Sequence, residues 1–142
     1  MPRQTMYSRF ISVGALVVAG VLLSSCGGPT DPSDNVTETF TGTVAVGGSG
    51  VHTFSVSNDG ELFVTLITLT PPLPAAKFAS LWLGTSSSGS CVWDGPRNNT
   101  AIPGTGVTNS VREGTVCVGI FDQGGANGFT VDETYEIRVS HP

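Results

Sequence analysis

From Val36 onward apolar and polar side chains alternate with period two, and turn-forming residues interrupt the alternation every eight to twelve positions. That combination predicts an all-β chain of short antiparallel strands packed as a sandwich or barrel. Phe40, Gly42, Val44 and Val46 fall on one side of a first strand, which Gly47-Gly48-Ser49-Gly50 ends. His52, Phe54 and Val56 alternate with Val51, Thr53 and Ser55 in a second. Asn58-Asp59-Gly60 reads as a tight hairpin, because these residues tolerate the positive φ such turns require. In a third strand Leu62, Val64, Leu66 and Thr68 form one row and Phe63, Thr65, Ile67 and Leu69 the other. A strand apolar on both faces belongs in the middle of a sheet.

Thr70-Pro71-Pro72-Leu73-Pro74 cannot continue a ladder, since proline lacks the N–H a sheet needs, so a crossing loop is expected there. Ser80 to Gly84 predicts a short fourth strand in which either Leu81 and Leu83 or Trp82 faces the core. Gly84 to Gly89 reads as a serine-rich loop, Cys91-Val92-Trp93 as a fifth strand, and Asp94 to Gly104 as a polar surface loop broken by Pro96 and Pro103. Thr105 to Val111 and Thr115 to Phe121 read as two strands joined by a hairpin turn at Arg112-Glu113-Gly114. After a glycine-rich connection over Asp122 to Gly128, Tyr135, Ile137 and Val139 close the domain as a last strand.

The N-terminus has a different pattern. Arg3 and Arg9 precede a run without charge from Phe10 to Leu23, and Leu23-Ser24-Ser25-Cys26 follows. At 14 residues the run is short of the ~20 needed to cross a bilayer core, so it reads as a signal peptide over residues 1–25. Leu, two small residues and then Cys resembles the lipobox of bacterial lipoproteins. The resemblance implies cleavage before Cys26, diacylglycerol on its thiol and a further fatty acyl chain, such as palmitate, on the new N-terminus. Two or three acyl chains anchor durably where one holds only marginally, so the expected partner is a membrane that the chain does not span. Residues 26–35 carry no apolar side chain beyond proline and the lipidated cysteine; they read as a tether reaching about 30 Å, ahead of one domain over residues 36–142.

Removing 25 of the 142 residues leaves 117, enough for one domain with its own core. Lys77, Arg97, Arg112 and Arg138 then stand against eleven acidic residues, a formal charge of −7, which disfavours nucleic acid and anionic lipid headgroups as partners. Beyond Cys26 the cysteines are Cys91 and Cys117. In an exported chain they are expected to form a disulfide; a zinc site is disfavoured by the absence of CxxC spacing and by having only His52 and His141 as histidines.

Phe40-Thr41-Gly42, Val51-His52-Thr53-Phe54-Ser55-Val56, Gly60-Glu61-Leu62-Phe63-Val64-Thr65-Leu66, and Gly114-Thr115-Val116-Cys117-Val118 with Tyr135-Glu136-Ile137-Arg138-Val139 occur in one order. Together, over roughly Thr37 to His141, they resemble the bacterial pre-peptidase C-terminal domain. The resemblance implies a jelly-roll-like β-sandwich of about eight antiparallel strands that serves secreted proteins as a non-catalytic module, some relatives binding calcium or collagen. Here the expected module stands on a lipid anchor with no peptidase beside it.

Candidate chemistry is sparse. Hydrolysis needs a nucleophile, a base and a group that orients the base. His52 lies in a strand row with Phe54 and Val56, His141 lies where chain ends fray, and Ser86, Ser87 and Ser88 do not fit a Gly-x-Ser-x-Gly elbow, so no enzyme activity is expected. Asp122, Asn127, Asp132 and Glu133 supply oxygens among glycines, as calcium requires, against the alternative of a solvated acidic loop. Trp82, Trp93 and Tyr135 are the rings to weigh for glycan stacking. Trp93 is expected to cap the core, with a ligand-binding ring as the other reading.

The expectation is a lipid-anchored protein of the cell envelope; the resemblance to bacterial lipoproteins, which reserve Asp after the lipidated cysteine for inner-membrane retention, implies the outer membrane where there is one, since Gly27 stands there. Its sandwich would be a binding or structural module. The alternatives are an accessory subunit that recruits a secreted hydrolase and a calcium-dependent glycan or adhesion module, so the partner sought is a protein or glycan of the envelope.

Overall fold

A computed structural model describes residues 34–142; the signal peptide, Cys26 and nearly all of the tether lie outside them. Nine strands follow one another: β1 (Val36–Val44), β2 (Ser49–Val56), β3 (Gly60–Thr70), β4 (Ala79–Ser87), β5 (Ser90–Val92), β6 (Arg97–Ala101), β7 (Gly106–Val111), β8 (Gly114–Asp122) and β9 (Glu133–His141). They build two antiparallel sheets. Sheet A has the order β1-β9-β3-β7, and sheet B the order β2-β8-β4-β5 with β6 also paired to β4. The fold is a β-sandwich.

Its core is the meeting of two inner faces. Leu62, Val64, Leu66, Ile137 and Val139 of sheet A face Leu81, Leu83, Val116, Val118 and Ile120 of sheet B, and all are buried. Burying side chains of this size gives roughly 1.5–3 kcal/mol each, which makes the alternation seen in the sequence the main determinant of which face turns inward. β3 is central in sheet A, as its two-sided apolar pattern predicts. A register shift between Leu66 and Thr68 reverses its rows, so that Leu69, in the sequence row of the exposed Phe63, is only 5% exposed. Along β1 and β9 the outer face of sheet A is polar: Thr37, Thr39, Thr41 and Thr43 of β1 pair in register with Ser140, Arg138, Glu136 and Thr134 of β9.

Three turns, two of them expected as hairpins, carry the chain between the sheets instead. Ala45 to Gly48, Ser57 to Asp59 and Arg112-Glu113 each carry the chain from one sheet to the other, because β1, β3 and β7 lie in sheet A while β2 and β8 lie in sheet B. Asp59 Oδ1 accepts the Glu113 N–H at 2.9 Å and ties two of these arches together. The hairpin between adjacent strands falls instead in the serine-rich segment, where β4 runs to Ser87 and turns into β5 through Ser88 and Gly89, at φ 52° and 80°. Two consecutive positive φ values are what a two-residue hairpin turn needs. Part of the expected surface loop after Asp94 is β6, which pairs with β4.

Candidate functional site

The outer face of sheet B carries rings. Trp82 is the outward residue between the buried Leu81 and Leu83, and its cross-strand neighbours are Arg97 on one side and Gly119 on the other. Gly119 leaves a dent: a Cβ there would stand 2.7 Å from the Trp93 ring and 2.5 Å from that of Phe121. Both rings settle into it. Trp82 and Phe121 lie 4.7 Å apart between centroids, and Trp93 stands nearly perpendicular to both, at 79° and 85°, with centroids 6.2 and 5.2 Å away. Edge-to-face geometry of this kind adds about 0.5–1.5 kcal/mol per pair beyond area burial. Trp93 therefore packs outside the sandwich and does not cap the core.

The disulfide sets this arrangement. Cys91 in β5 is bonded to Cys117 in β8, across a sequence separation of 26, and Trp93 follows two residues after Cys91. Asp94 fixes the other side of the ring's backbone by accepting the Thr85 N–H at 3.1 Å and the Thr85 hydroxyl at 2.9 Å. Over Trp82 the Arg97 guanidinium stands 4.3 Å from the ring centroid, a cation–π contact, and the indole Nε1–H donates to Asn99 Oδ1 at 3.3 Å. The result is a corner of three half-buried rings edged by Arg97 and Asn99.

The histidines are elsewhere, inside. His52 stacks on Phe40 at 4.8 Å, and its Nε2 lies 2.7 Å from the Tyr135 hydroxyl. Burial lowers the His52 pKa and raises that of Tyr135. Tyr135 is 4% exposed; its ring fills the space that Gly42 and Gly50 leave open, and it offers no face to a glycan. His141, expected to fray, is 3% exposed in β9, with Nε2 2.9 Å from Glu38 Oε1. The hydrogen-bond partners of the two rings are Tyr135, Glu38 and the Pro142 carbonyl, none of them a serine or a thiol. Ser87 and Ser88 sit at the β4–β5 turn.

The four oxygen donors weighed for calcium do not converge, and among the described residues no three His, Cys, Asp or Glu group as a metal site would. Asp122 is a backbone clamp. Its carboxylate accepts N–H bonds from Gly47 at 2.6 Å, Phe129 at 2.8 Å and Gly124 at 3.0 Å. Burial pushes its pKa up, yet those three bonds and the charge of Lys77 win and hold it below the usual value. Asp132 accepts the Val46 N–H at 3.1 Å, on the same turn as Gly47. Asn127 ends the exposed 3-10 turn Gly125–Asn127, and Glu133 points into the sandwich at 1% exposure, its Oε2 without a hydrogen-bond partner. Burial raises the Glu133 pKa.

These features define a small disulfide-bonded β-sandwich with an aromatic corner on one outer face. No protein-family model and no curated protein matches the chain. Among solved structures it is similar to the Yersinia pseudotuberculosis-derived mitogen (YPM), at 16% identity and a TM-score of 0.50, over 76% of this chain and 87% of that one. That likeness is one of fold. It is also similar to the pre-peptidase C-terminal domain of the collagenase from Bacillus anthracis, at 16% identity and a TM-score of 0.49, over 73% of this chain and 89% of that one.

Proposed function

We propose that this chain is an exported lipoprotein, held through acylated Cys26 in the cell envelope, whose β-sandwich is a non-catalytic binding module presented on a tether. The observation that carries the reading is the corner formed by Trp82, Trp93 and Phe121, three rings on the solvent side of a sheet whose core is complete without them. Rings placed there contribute little to the core and leave apolar surface of the kind that binding sites use. The non-catalytic reading is supported by the histidines, since His141 is buried against Glu38 and the half-buried His52 is hydrogen-bonded to the buried Tyr135 and to no serine or thiol.

Anchor and module are tested together in cells making the tagged full-length chain. Wild type incorporates labelled palmitate and sediments with membranes, whereas Cys26→Ser does neither. Capture from detergent-solubilised envelopes retains a partner or polymer that the Trp82→Ala/Trp93→Ala double variant fails to retain. Palmitate uptake by Cys26→Ser would remove the anchor, and equal retention by the double variant would remove the module. A single protein at near-equal abundance, lost with the double variant, makes the module an accessory subunit.

A further inference from the structure

The polar atoms edging the ring corner are donors. Arg97 is exposed, and the ion pairs formed among the described residues are Arg138–Glu136 and His141–Glu38, so its guanidinium has no carboxylate within salt-bridge reach there. Asn99 gives its Oδ1 to Trp82 and keeps its Nδ2 donor. The acidic residue beside Trp93 in sequence, Asp94, is engaged at both oxygens by Thr85. Lys77 and Arg112 likewise form no ion pair among the described residues, but Arg97 is the one that stands over a ring of the corner.

Local chemistry decides what such a corner holds. The excess negative charge of the chain opposes polyanions, but screening removes interactions between exposed charges beyond about 8 Å at physiological salt, so a single carboxylate at Arg97 is judged by its immediate neighbours. The rings are sunk over Gly119 rather than projecting, which suits stacking against a flat ligand and not insertion among lipid tails. A pyranose has one apolar C–H face and a polar rim, matching an indole beside donors. A neutral sugar leaves the guanidinium unanswered, whereas a carboxylate accepts its fork of N–H groups bidentately.

Resting on the reading of the sandwich as a binding module, we infer that the Trp82–Trp93–Phe121 corner binds a carboxylated sugar unit of a polysaccharide, with the sugar ring against Trp93 and its carboxylate on Arg97, which covers the Trp82 face. The test is calorimetric titration of the full-length chain in detergent with oligomers of galacturonate, glucuronate and mannuronate, each against its methyl ester, which keeps the ring and removes the charge. At least one acid is expected to bind about tenfold or more tightly than its ester, the difference a charge-assisted hydrogen bond makes. Arg97→Gln is expected to abolish that preference while lowering the thermal midpoint only slightly, through the lost cation–π contact with Trp82, and Trp93→Ala to weaken acid and ester alike.

Equal affinity for acid and ester, a preference that survives Arg97→Gln, or no binding by any acid overturns the inference. So does Trp93-dependent binding to phosphatidylglycerol vesicles, which makes the corner a membrane contact. If the acids fail while envelope capture still depends on Trp82 and Trp93, only the ligand class falls and the binding module stands. If neither the acids nor the capture depend on these residues, both fall.

Discussion

Two clusters of rings occupy the two sides of sheet B, and each makes room for its rings with glycine. Inside, Tyr135 fits over Gly42 and Gly50, with His52, Phe40, Phe54 and His141 stacked beside it at centroid distances of 4.8 to 5.9 Å. Outside, Trp93 and Phe121 fit over Gly119, with Trp82 beside them. The difference is in the polar atoms. The inner cluster satisfies its own, through Tyr135 with His52 and Glu38 with His141, because an unpaired donor in the interior costs about 1–3 kcal/mol. The outer cluster keeps Arg97 and the Asn99 amide at the edge of solvent, where leaving a donor for an incoming group costs little. The same packing device builds a core on one side of the sheet and a surface feature on the other.

The sharpest way to break that contrast is to remove one large ring from each. Tyr135→Ala is expected to cost about 3–5 kcal/mol in urea unfolding, as for other buried rings. Trp93→Ala should cost less than half as much, with its loss appearing in ligand retention. Equal costs would mean that the outer rings form a second core. Next in size, replacing Cys91 and Cys117 together by serine removes the restraint of a 26-residue separation, worth at most about 3.5 kcal/mol. Because Trp93 follows Cys91, this variant should also lose retention at temperatures where it remains folded; intact retention would show that the Gly119 dent alone seats the ring.

The smallest expected effect probes the one flaw of the inner side, the partnerless Glu133 Oε2. Burial raises the Glu133 pKa, so the folded protein keeps a proton that the unfolded chain releases. The contribution of that protonated form to stability is complete below the unfolded value of about 4.3 and is lost as pH rises through the folded value. Glu133→Gln should therefore raise the thermal midpoint at about pH 7 and leave it unchanged near pH 4. A lower midpoint at neutral pH would mean that the ionised carboxylate has a favourable role.

Much of the sandwich was legible because burial follows alternation: Leu62, Val64, Leu66, Val116, Val118 and Ile120 face inward as their spacing predicts. The connections were less legible. Asn58-Asp59-Gly60 carries the signal of a hairpin and makes an arch, since a turn signal reports backbone torsion and not whether the next strand pairs beside the last one or in the facing sheet. At the site, Trp82 and Trp93 were visible as candidates, while Phe121, Arg97 and Asn99 were missed. They come from β6 and β8, distant in sequence, and only the pairing of both strands with β4 makes them neighbours. The alternation of Gly119 with the apolar Val118 and Ile120 was the one local hint that space exists on the outer row.

The acidic loop teaches the converse lesson. Asp122, Asn127, Asp132 and Glu133 lie close along the chain, yet strand alternation sends Glu133 inward and the turn after β1 draws Asp122 and Asp132 to its N–H groups. Sequence alone determined the class of fold, the disulfide partners and the inward rows, because these depend on residue type and period, which are local. Tertiary structure decided which sheet each strand joins, which side Trp93 packs on and which charges meet the rings, because those depend on contacts between residues far apart in the chain.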